Sequence, residues 1–222
     1  MPDPGAQSQT TEDYLKAIYS LGERTDDPVT TSRLSERLGL SASSVSGMLR
    51  KLATQGLIDH RPYGGITLTP DGLAGALRVV RRHRLVEMFL VAQLGYSWDE
   101  VHDEAEVLEH AMSDQLVERI DVALGRPRFD PHGDPIPTGG GELPTVDARR
   151  LPQLAAGTAG VLVRVDDHDP EVLRHLTQAG IALGERIQLI EQLPFDGPFV
   201  LRTDDGRTHH FAPLLAGALW IQ

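Results

Sequence analysis

The spacing of apolar residues changes once along the chain, and this change restricts the fold more than any other sequence feature. As far as Gly125, apolar residues recur mostly at helical spacing, which predicts a series of amphipathic helices. After Thr158 they alternate with polar residues in short runs, which predicts strands. The segment between them, residues 126–158, contains six prolines and a run of three glycines. We therefore expect an α+β fold with a helical front and a small β-rich end.

The first part of the chain has the pattern of a winged helix. Two short helices are predicted on either side of Gly39-Leu40, and the second begins with small hydroxyl residues. Apolar and polar residues then alternate on both sides of Pro62-Tyr63-Gly64-Gly65, which predicts a β-hairpin wing. Together these features predict a helix-turn-helix DNA-binding domain over residues 1–72. The alternative is a winged helix that contacts another protein.

The distribution of charge is more informative than its sum. The net charge of −11 argues against nucleic acid, because affinity for DNA rests mainly on Lys and Arg near phosphates. Between Thr30 and Gly65, however, five basic residues face two acidic ones. We predict double-stranded operator DNA as a partner, contacted by hydroxyl and basic residues of this segment. They are Thr31, Arg33, Ser41, Ser43, Ser44, Ser46, Arg50, Lys51 and Arg61.

The middle of the chain predicts a helical domain over residues 73–137. Thr69-Pro70 opens a long helix that runs to Leu94, because a capping residue followed by proline is a preferred helix start. Ser97 and Glu100 have the spacing of a capping box for the next helix. These helices are too apolar to stand alone, so we expect this domain to form the contact of a homodimer.

The end of the chain is predicted to form a small β-barrel domain over residues 159–222. Four short strands are expected there, with Asp205-Gly206 as a hairpin turn and one helix beginning at Pro170. Residues 138–158 are predicted to be the linker that precedes this domain.

Composition excludes several kinds of site. The chain contains no cysteine, which excludes disulfides, zinc–thiolate sites and cysteine nucleophiles, so any metal must be held by nitrogen and oxygen. No run approaches the roughly 18 consecutive apolar residues of a membrane helix. The first residues also lack the basic and apolar parts of a signal peptide. We expect no membrane association and a cytoplasmic location.

Histidines and carboxylates are concentrated on the predicted helical domain. His83 and Glu87 are spaced so that their side chains project from one face of the long helix. A second set lies along one stripe of the next helix: His102, Glu106, Glu109 and His110. Two packed helices can hold converging metal ligands, although each pair taken alone is also typical of a surface salt bridge or a satisfied histidine.

These features together resemble the diphtheria toxin repressor family. The resemblance is carried by the winged helix and by four segments: residues 10–15, Arg82-His83-Arg84-Leu85-Val86-Glu87, Val101-His102-Asp103-Glu104-Ala105-Glu106 with Glu109-His110, and Asp130-Pro-His-Gly-Asp-Pro-Ile-Pro137. It implies a homodimeric repressor whose bound divalent iron or manganese favours operator binding. It also implies an SH3-like fold for the C-terminal domain.

The resemblance assigns two metal sites. The first consists of Asp13, Glu106, Glu109 and His110. The second, ancillary site consists of His83, Glu87 and His102, and it is completed from the C-terminal domain near Asp167, His168 or Asp169.

Three positions bear on the identity of the metal. Iron-responsive members have a methionine where Asp13 stands and a cysteine where Glu106 stands, so both sulfur ligands are replaced by carboxylates. The shorter manganese regulators have a second glutamate in the first helix, where this chain has Lys16, which puts their paired-metal arrangement in doubt here. We therefore predict a repressor of metal-homeostasis genes that is activated by Mn²⁺, with Fe²⁺ as the alternative metal.

Two rival functions remain at this stage. A metal-dependent hydrolase would use the same histidines and carboxylates around an open metal position. The chain lacks the His-Glu-x-x-His, phosphate-loop and Gly-x-Ser-x-Gly motifs, so we expect it not to be an enzyme. The second rival is a winged-helix protein whose metal site is purely structural.

Overall fold

The computed structural model describes residues 8–24, 27–60 and 65–222. Arg61 and residues 62–64 of the predicted wing lie outside these ranges. The chain divides into two compact units, of which the first comprises the described residues up to Arg82 together with Pro137–Glu142. The second comprises His83–Ile136 and Leu143–Gln222. Among the described residues, no helix is long and apolar enough to cross a membrane.

The first unit contains three helices, a hairpin and the start of a long helix. These elements are α1 (Gln9–Arg24), α2 (Thr31–Leu38), α3 (Ala42–Thr54), β1 (Ile58–His60), β2 (Ile66–Leu68) and α4 (Pro70–Leu94). β1 and β2 pair antiparallel. The predicted helix-turn-helix and the paired strands of its wing are therefore present.

Local sequence explains how the helix-turn-helix forms. The hydroxyl of Thr30 accepts the backbone N–H of Arg33 at the start of α2, and Ser41 does the same for Ser44 at the start of α3. Gly39 ends α2 with a φ of +64°, a left-handed conformation that glycine adopts without strain. The apolar faces of these helices close over a common core that includes Leu15, Leu34, Val45, Leu49 and Leu52.

The helical part of the second unit contains the end of α4 with α5 (Val101–Leu108) and α6 (Asp114–Ala123). The side chain of Glu100 accepts the backbone N–H of Ser97, but α5 begins only at Val101 with Glu100 as its N-cap, so this contact precedes the helix and does not form the predicted capping box. A second expectation was also wrong: α5 ends at Leu108, so the predicted stripe does not lie on a single helix. Glu109 caps the end of α5 in helical conformation, and His110 lies in the following turn.

The C-terminal domain is built on a six-stranded antiparallel sheet. Its elements are β3 (Arg149–Arg150), a 3-10 helix (Leu151–Gln153), β4 (Ala159–Val165), α7 (Pro170–Ala179), β5 (Arg186–Gln192), β6 (Phe199–Thr203), β7 (Thr208–Phe211), α8 (Pro213–Gly217) and β8 (Leu219–Ile221). The strand order is β3-β8-β4-β5-β6-β7. α7 packs Leu173 and Leu176 into the apolar core of this sheet.

The predicted linker contains structure that sequence reasoning missed. β3 lies inside residues 138–158 and pairs with β8, and Leu151 is completely buried in the core of the sheet domain. Elements of two or three residues are too short to show a periodic pattern. β8 is buried along its whole length, so its residues do not alternate either.

Residues 130–136 lie outside the helices and strands and form a buried loop, here named the 130–136 loop. The backbone N–H of Asp130 donates to the carbonyl of Asp134, and the Asp130 side chain accepts the N–H groups of His132 and Asp134. The N–H of Val165 in β4 donates to the carbonyl of His132. These bonds fix the loop against β4 without a regular element.

Candidate functional site

Helix α4 places His83 and Glu87 on one face inside the second unit. Both residues are buried, and Glu87 is completely inaccessible to solvent. His83 Nε2 lies 2.9 Å from Glu87 Oε1. A buried carboxylate is costly unless it is paired or binds a cation. Glu87 therefore requires partners from other parts of the unit.

Helix α5 supplies one of these partners, His102, and the loop after β4 adds a carboxylate that His102 also contacts. His102 Nδ1 lies 3.4 Å from Glu87 Oε1 and 3.2 Å from Asp167 Oδ2. One ligand atom from each of His83, Glu87, His102 and Asp167 lies within 4.8 Å of the others. The structure thus brings the three predicted ancillary ligands together with Asp167 of the sheet domain.

His132 reaches the same place from the 130–136 loop, and sequence reasoning did not identify it. Its Nε2 lies 2.6 Å from the carbonyl oxygen of Trp98, and a carbonyl can only accept, so Nε2 carries the proton. Its Nδ1 is buried without a hydrogen-bond partner among the described residues. This nitrogen lies 3.9 Å from Glu87 Oε2 and 3.8 Å from Asp167 Oδ2. An imidazole oriented through one nitrogen and open at the other is typical of a metal-binding histidine.

Asp130 joins His132 and Glu87 in a second group of ligand atoms within 4.8 Å of one another. Because Glu87 belongs to both groups, we treat them as one site and call it the buried centre. It consists of His83, Glu87, His102, Asp130, His132 and Asp167. The signal for the missed pair was present in Asp130-Pro-His132, where a carboxylate and an imidazole flank a proline in a short loop.

The charges of the buried centre depend strongly on one another. Burial alone would raise the pKa of Glu87, but the neighbouring histidines lower it below its ordinary value. Burial would lower the pKa of His102, whereas hydrogen bonds to Asp167 and Glu87 raise it to about 10. Burial and the carboxylates of Asp134 and Glu87 raise the pKa of Asp130 to about 8. Protons therefore balance an excess of carboxylates here, and a divalent cation can take their place.

Two buried arginines hold the 130–136 loop in position. Arg84 of α4 donates from Nη1 to the carbonyl of Pro135 over 2.7 Å. Arg164 of β4 forms an ion pair with Asp134, and its guanidinium carbon lies 4.8 Å from the centre of the Trp220 ring. The loop that carries His132 is thus clamped between the helical part and the sheet of the second unit.

The other predicted metal set consists of Asp13, Glu106, Glu109 and His110, and its members differ in their contacts. Glu109 is buried, and its Oε2 lies 2.6 Å from His83 Nδ1. His110 Nε2 lies 3.4 Å from Glu109 Oε1. Glu106 Oε1 lies 3.5 Å from His102 Nε2. Asp13 is half-buried on α1 of the first unit. A ligand role for this set stays a prediction.

The sheet domain offers Asp167, His168 and Asp169 as candidates for completing the ancillary site, and these residues differ in their contacts. His168 lies next to Asp167, with its Nδ1 3.3 Å from Asp167 Oδ1. Asp169 instead caps α7, where its side chain accepts the N–H of Glu171. The carboxylate of Asp169 therefore serves the helix start rather than the buried centre.

The serines predicted to contact DNA lie at the start of α3. The hydroxyls of Ser43 and Ser44 are each 2.9 Å from the hydroxyl of Ser41, and all three residues are exposed. Ser46 donates to the carbonyl of Ala42, so its hydroxyl serves the helix itself.

The basic residues predicted to contact DNA also differ in their contacts within the protein. Arg50 and Lys51 are exposed on α3. Arg33 donates to the backbone carbonyls of residues 27–28, which ties its guanidinium to the loop before α2. Thr31 is the first residue of α2 and is half-exposed. Arg50 and Lys51 are therefore the stronger candidates for contact with phosphates.

Comparison with known proteins identifies the family. The family described as "Iron dependent repressor, N-terminal DNA binding domain" matches residues 7–66, and "Iron dependent repressor, metal binding and dimerisation domain" matches residues 69–138. The iron-dependent repressor IdeR of Mycobacterium tuberculosis is 36% identical over 200 residues, which covers 85% of this chain and 86% of that protein. The diphtheria toxin repressor of Corynebacterium glutamicum is 34% identical over 195 residues, covering 82% and 84%. The chain belongs to the diphtheria toxin repressor family.

Diphtheria toxin repressor family members are metal-dependent transcriptional repressors, and this chain has their DNA-binding domain and their metal-binding and dimerisation domain. A FeoA domain matches residues 149–220, in agreement with the SH3-like domain expected there. A solved structure described as a manganese-dependent transcriptional repressor in complex with manganese is 49% identical, with a TM-score of 0.91. The match covers 95% of this chain and 98% of that one. The predicted family and α+β fold class are confirmed.

Proposed function

We propose that this protein is a manganese-activated homodimeric repressor that binds operator DNA and controls metal-homeostasis genes. The observation that carries the proposal is the buried centre, in which three histidines and three carboxylates converge without a sulfur donor. Carboxylate donors suit manganese and imidazole donors suit several first-row divalent ions, iron among them, whereas thiolates and thioethers select softer ions.

The donors of the buried centre fit a divalent cation. His132 Nδ1 is a buried nitrogen without a hydrogen-bond partner among the described residues, and it faces two carboxylates. A bound cation supplies the positive charge that otherwise comes from protons. The protein side chains hold α4, α5, the 130–136 loop and the end of β4 in one arrangement around that charge.

The choice of manganese over iron rests on geometry rather than on strength of binding. Affinity in sites of nitrogen and oxygen rises from manganese through iron to copper, so no such site prefers manganese by affinity alone. The similarity to a manganese-dependent repressor supports manganese, and the iron-dependent relatives support iron as the alternative. Zinc is expected to bind more tightly than manganese and to activate poorly.

We assign to Asp13 the coupling between metal binding and DNA binding. The family resemblance puts this residue of α1 in one ligand set with Glu106, Glu109 and His110. A ligand on the first helix of the DNA-binding domain would let the metal fix the spacing of two recognition helices in a dimer, about one DNA turn or 34–36 Å. Because such coupling is reciprocal, operator DNA should tighten metal binding.

Asp13→Ala tests this assignment. We expect it to abolish the stimulation of DNA binding by Mn²⁺ while the buried centre still binds the ion. Asp204→Ala, which removes an exposed carboxylate from the sheet domain, is the control for charge. Metal-stimulated binding at wild-type strength in Asp13→Ala would remove Asp13 from the mechanism.

A gel-shift titration tests the function as a whole. Operator-containing promoter DNA from the chain's own genome is titrated under anaerobic conditions with Mn²⁺, Fe²⁺, Zn²⁺ or no metal. We expect Mn²⁺ to activate at lower concentration than Fe²⁺. If the protein responds to Fe²⁺ at least as strongly as to Mn²⁺, the activating metal is iron and the assignment to manganese is wrong. If the affinity for DNA is unchanged after a chelator has removed the metal from a protein that stays folded, the metal has a purely structural role.

A further inference from the structure

We propose that Asp166, Asp167 and His168 form a half-exposed divalent-cation site through which the buried centre loads and releases its ion. The proposal rests on metal binding at that centre. The three residues follow β4 directly and precede α7, so they lie at the border of the buried centre in the second unit.

The side chains of this border site converge on one point. His168 Nδ1 lies 3.1 Å from Asp166 Oδ1 and 3.3 Å from Asp167 Oδ1. One ligand atom of each residue lies within 4.8 Å of the others. Two carboxylates and a neutral imidazole balance the charge of a divalent cation. This donor set also suits the same ions as the buried centre.

Asp167 connects the border site with the buried centre because its two oxygens face different partners. Oδ1 faces His168, whereas Oδ2 lies 3.2 Å from His102 Nδ1 and 3.8 Å from His132 Nδ1. The rings of His102 and His168 are 6.4 Å apart between centroids. An ion held by Oδ1 can thus move to Oδ2 without leaving the carboxylate.

Differences in solvent exposure indicate that an ion enters from the border site and moves to the buried centre. The side chains of Glu87 and His132 have no exposed surface, whereas those of Asp166 and His168 are 26% and 28% exposed. A hydrated ion can therefore meet Asp166 and His168 first and exchange its waters for protein ligands there. Glu106 is also exposed, but it faces His102 Nε2, and the imidazole ring separates that nitrogen from the one that faces the centre.

Asp166 also has a local structural task, and the test has to leave that task intact. Its Oδ1 accepts the backbone N–H of His168. Asp166→Asn keeps an oxygen acceptor at this position and removes the charge, and His168→Gln keeps a polar side chain. The matched control is Asp205→Asn, because Asp205 Oδ1 accepts the N–H of Arg207 in the same way in the β6–β7 turn. His175→Gln on α7 is the control for the histidine.

The experiment measures rates and equilibrium together on the full-length protein. Loading is followed by freeze-quench electron paramagnetic resonance as the signal of aqueous Mn²⁺ disappears, and release is followed after addition of excess chelator. Equilibrium dialysis gives the Kd. For the Asp166→Asn/His168→Gln double variant we expect the rates of loading and of release both to fall severalfold below those of the Asp205→Asn/His175→Gln control. The Kd of the ion in the buried centre should stay at the wild-type value, because a residue that lies only on the path changes the rates of loading and release equally.

Each outcome separates the loading role from its alternatives. Rates equal to those of the Asp205→Asn/His175→Gln control would overturn the proposal. A weaker Kd with an unchanged loading rate would also overturn it, because Asp166 and His168 would then be ligands of the buried centre. If the wild-type protein itself binds no Mn²⁺ at equilibrium, the proposed function fails first.

Discussion

His132 is oriented by a single backbone carbonyl and contributes to the buried centre a buried ring nitrogen that has no hydrogen-bond partner among the described residues. We expect His132→Ala to weaken Mn²⁺ binding by about 10–100-fold, since the centre loses a pre-oriented donor. His210→Ala, which removes an exposed histidine from β7, should leave the affinity unchanged. Isothermal titration calorimetry measures both. Equal affinities in the two variants would exclude His132 from the ligand set.

Gly133 permits the close approach of the 130–136 loop to β4. A Cβ atom at this position would lie 2.0 Å from the carbonyl oxygen of Val163, and the φ of Gly133 is +87°. Gly184 has the same φ, but a Cβ there meets nothing within 4 Å. Backbone strain should cost about 1–3 kcal/mol in either alanine variant.

The two variants should therefore differ by the steric clash alone. We expect Gly133→Ala to lower the free energy of unfolding by more than about 4 kcal/mol, because the obstructing atoms belong to the backbone and cannot move aside. Gly184→Ala should show only the strain. Chemical denaturation measures both values, and similar losses in the two variants would contradict the close approach.

Individual residues of the site were predictable to different degrees. The helical spacing of His83 and Glu87 predicts a shared face, and the family resemblance adds His102 and Asp167. His132 was missed because its position depends on a loop without periodicity and on a distant backbone carbonyl. Such a contact is specified by tertiary packing and leaves no local pattern in the sequence.

Helix α3 is the element on which DNA binding should depend most. Arg50 and Lys51 are exposed there, and each contact with a phosphate releases about one counterion. Arg50→Ala/Lys51→Ala should weaken binding to all DNA sequences and reduce the slope of log K against log salt by about two. The control, Arg149→Ala/Arg186→Ala, removes two exposed charges from the sheet domain. An unchanged slope in the α3 variant would remove both residues from the interface.

At the scale of elements, short segments could be predicted only where they belong to a hairpin with a recognisable turn. The helices of the first unit, α4 and β4 to β7 follow from periodicity, capping residues and turn residues. β3, β8 and α8 were missed because each has five residues or fewer and none belongs to a predicted hairpin, and β3 and β8 are placed by pairing with distant strands. The end of α5 was predicted too far along the chain. Glu109, which follows Leu108, still has helical backbone angles, although the regular helix has already ended.

For the whole molecule, metal binding and stability should be linked. The buried centre joins α4, α5, the 130–136 loop and β4, so a bound ion stabilises the folded second unit. A free Mn²⁺ concentration of about 100 times the Kd should add about 2.7 kcal/mol to the free energy of unfolding. For a chain of this size that raises the Tm by about 5–10 °C. Differential scanning calorimetry with Mn²⁺ and with excess chelator measures the shift, and no shift would contradict binding to the folded state.

The absence of sulfur from the buried centre has a consequence for oxidative stress. Thiolate ligands are oxidised to sulfenic and higher acids by peroxide, which would release a metal without any change in its supply. The imidazole and carboxylate donors of this chain do not undergo that reaction, and the chain has no cysteine elsewhere. A repressor built in this way cannot lose its metal through thiol oxidation, so this route from peroxide to the loss of repression is closed.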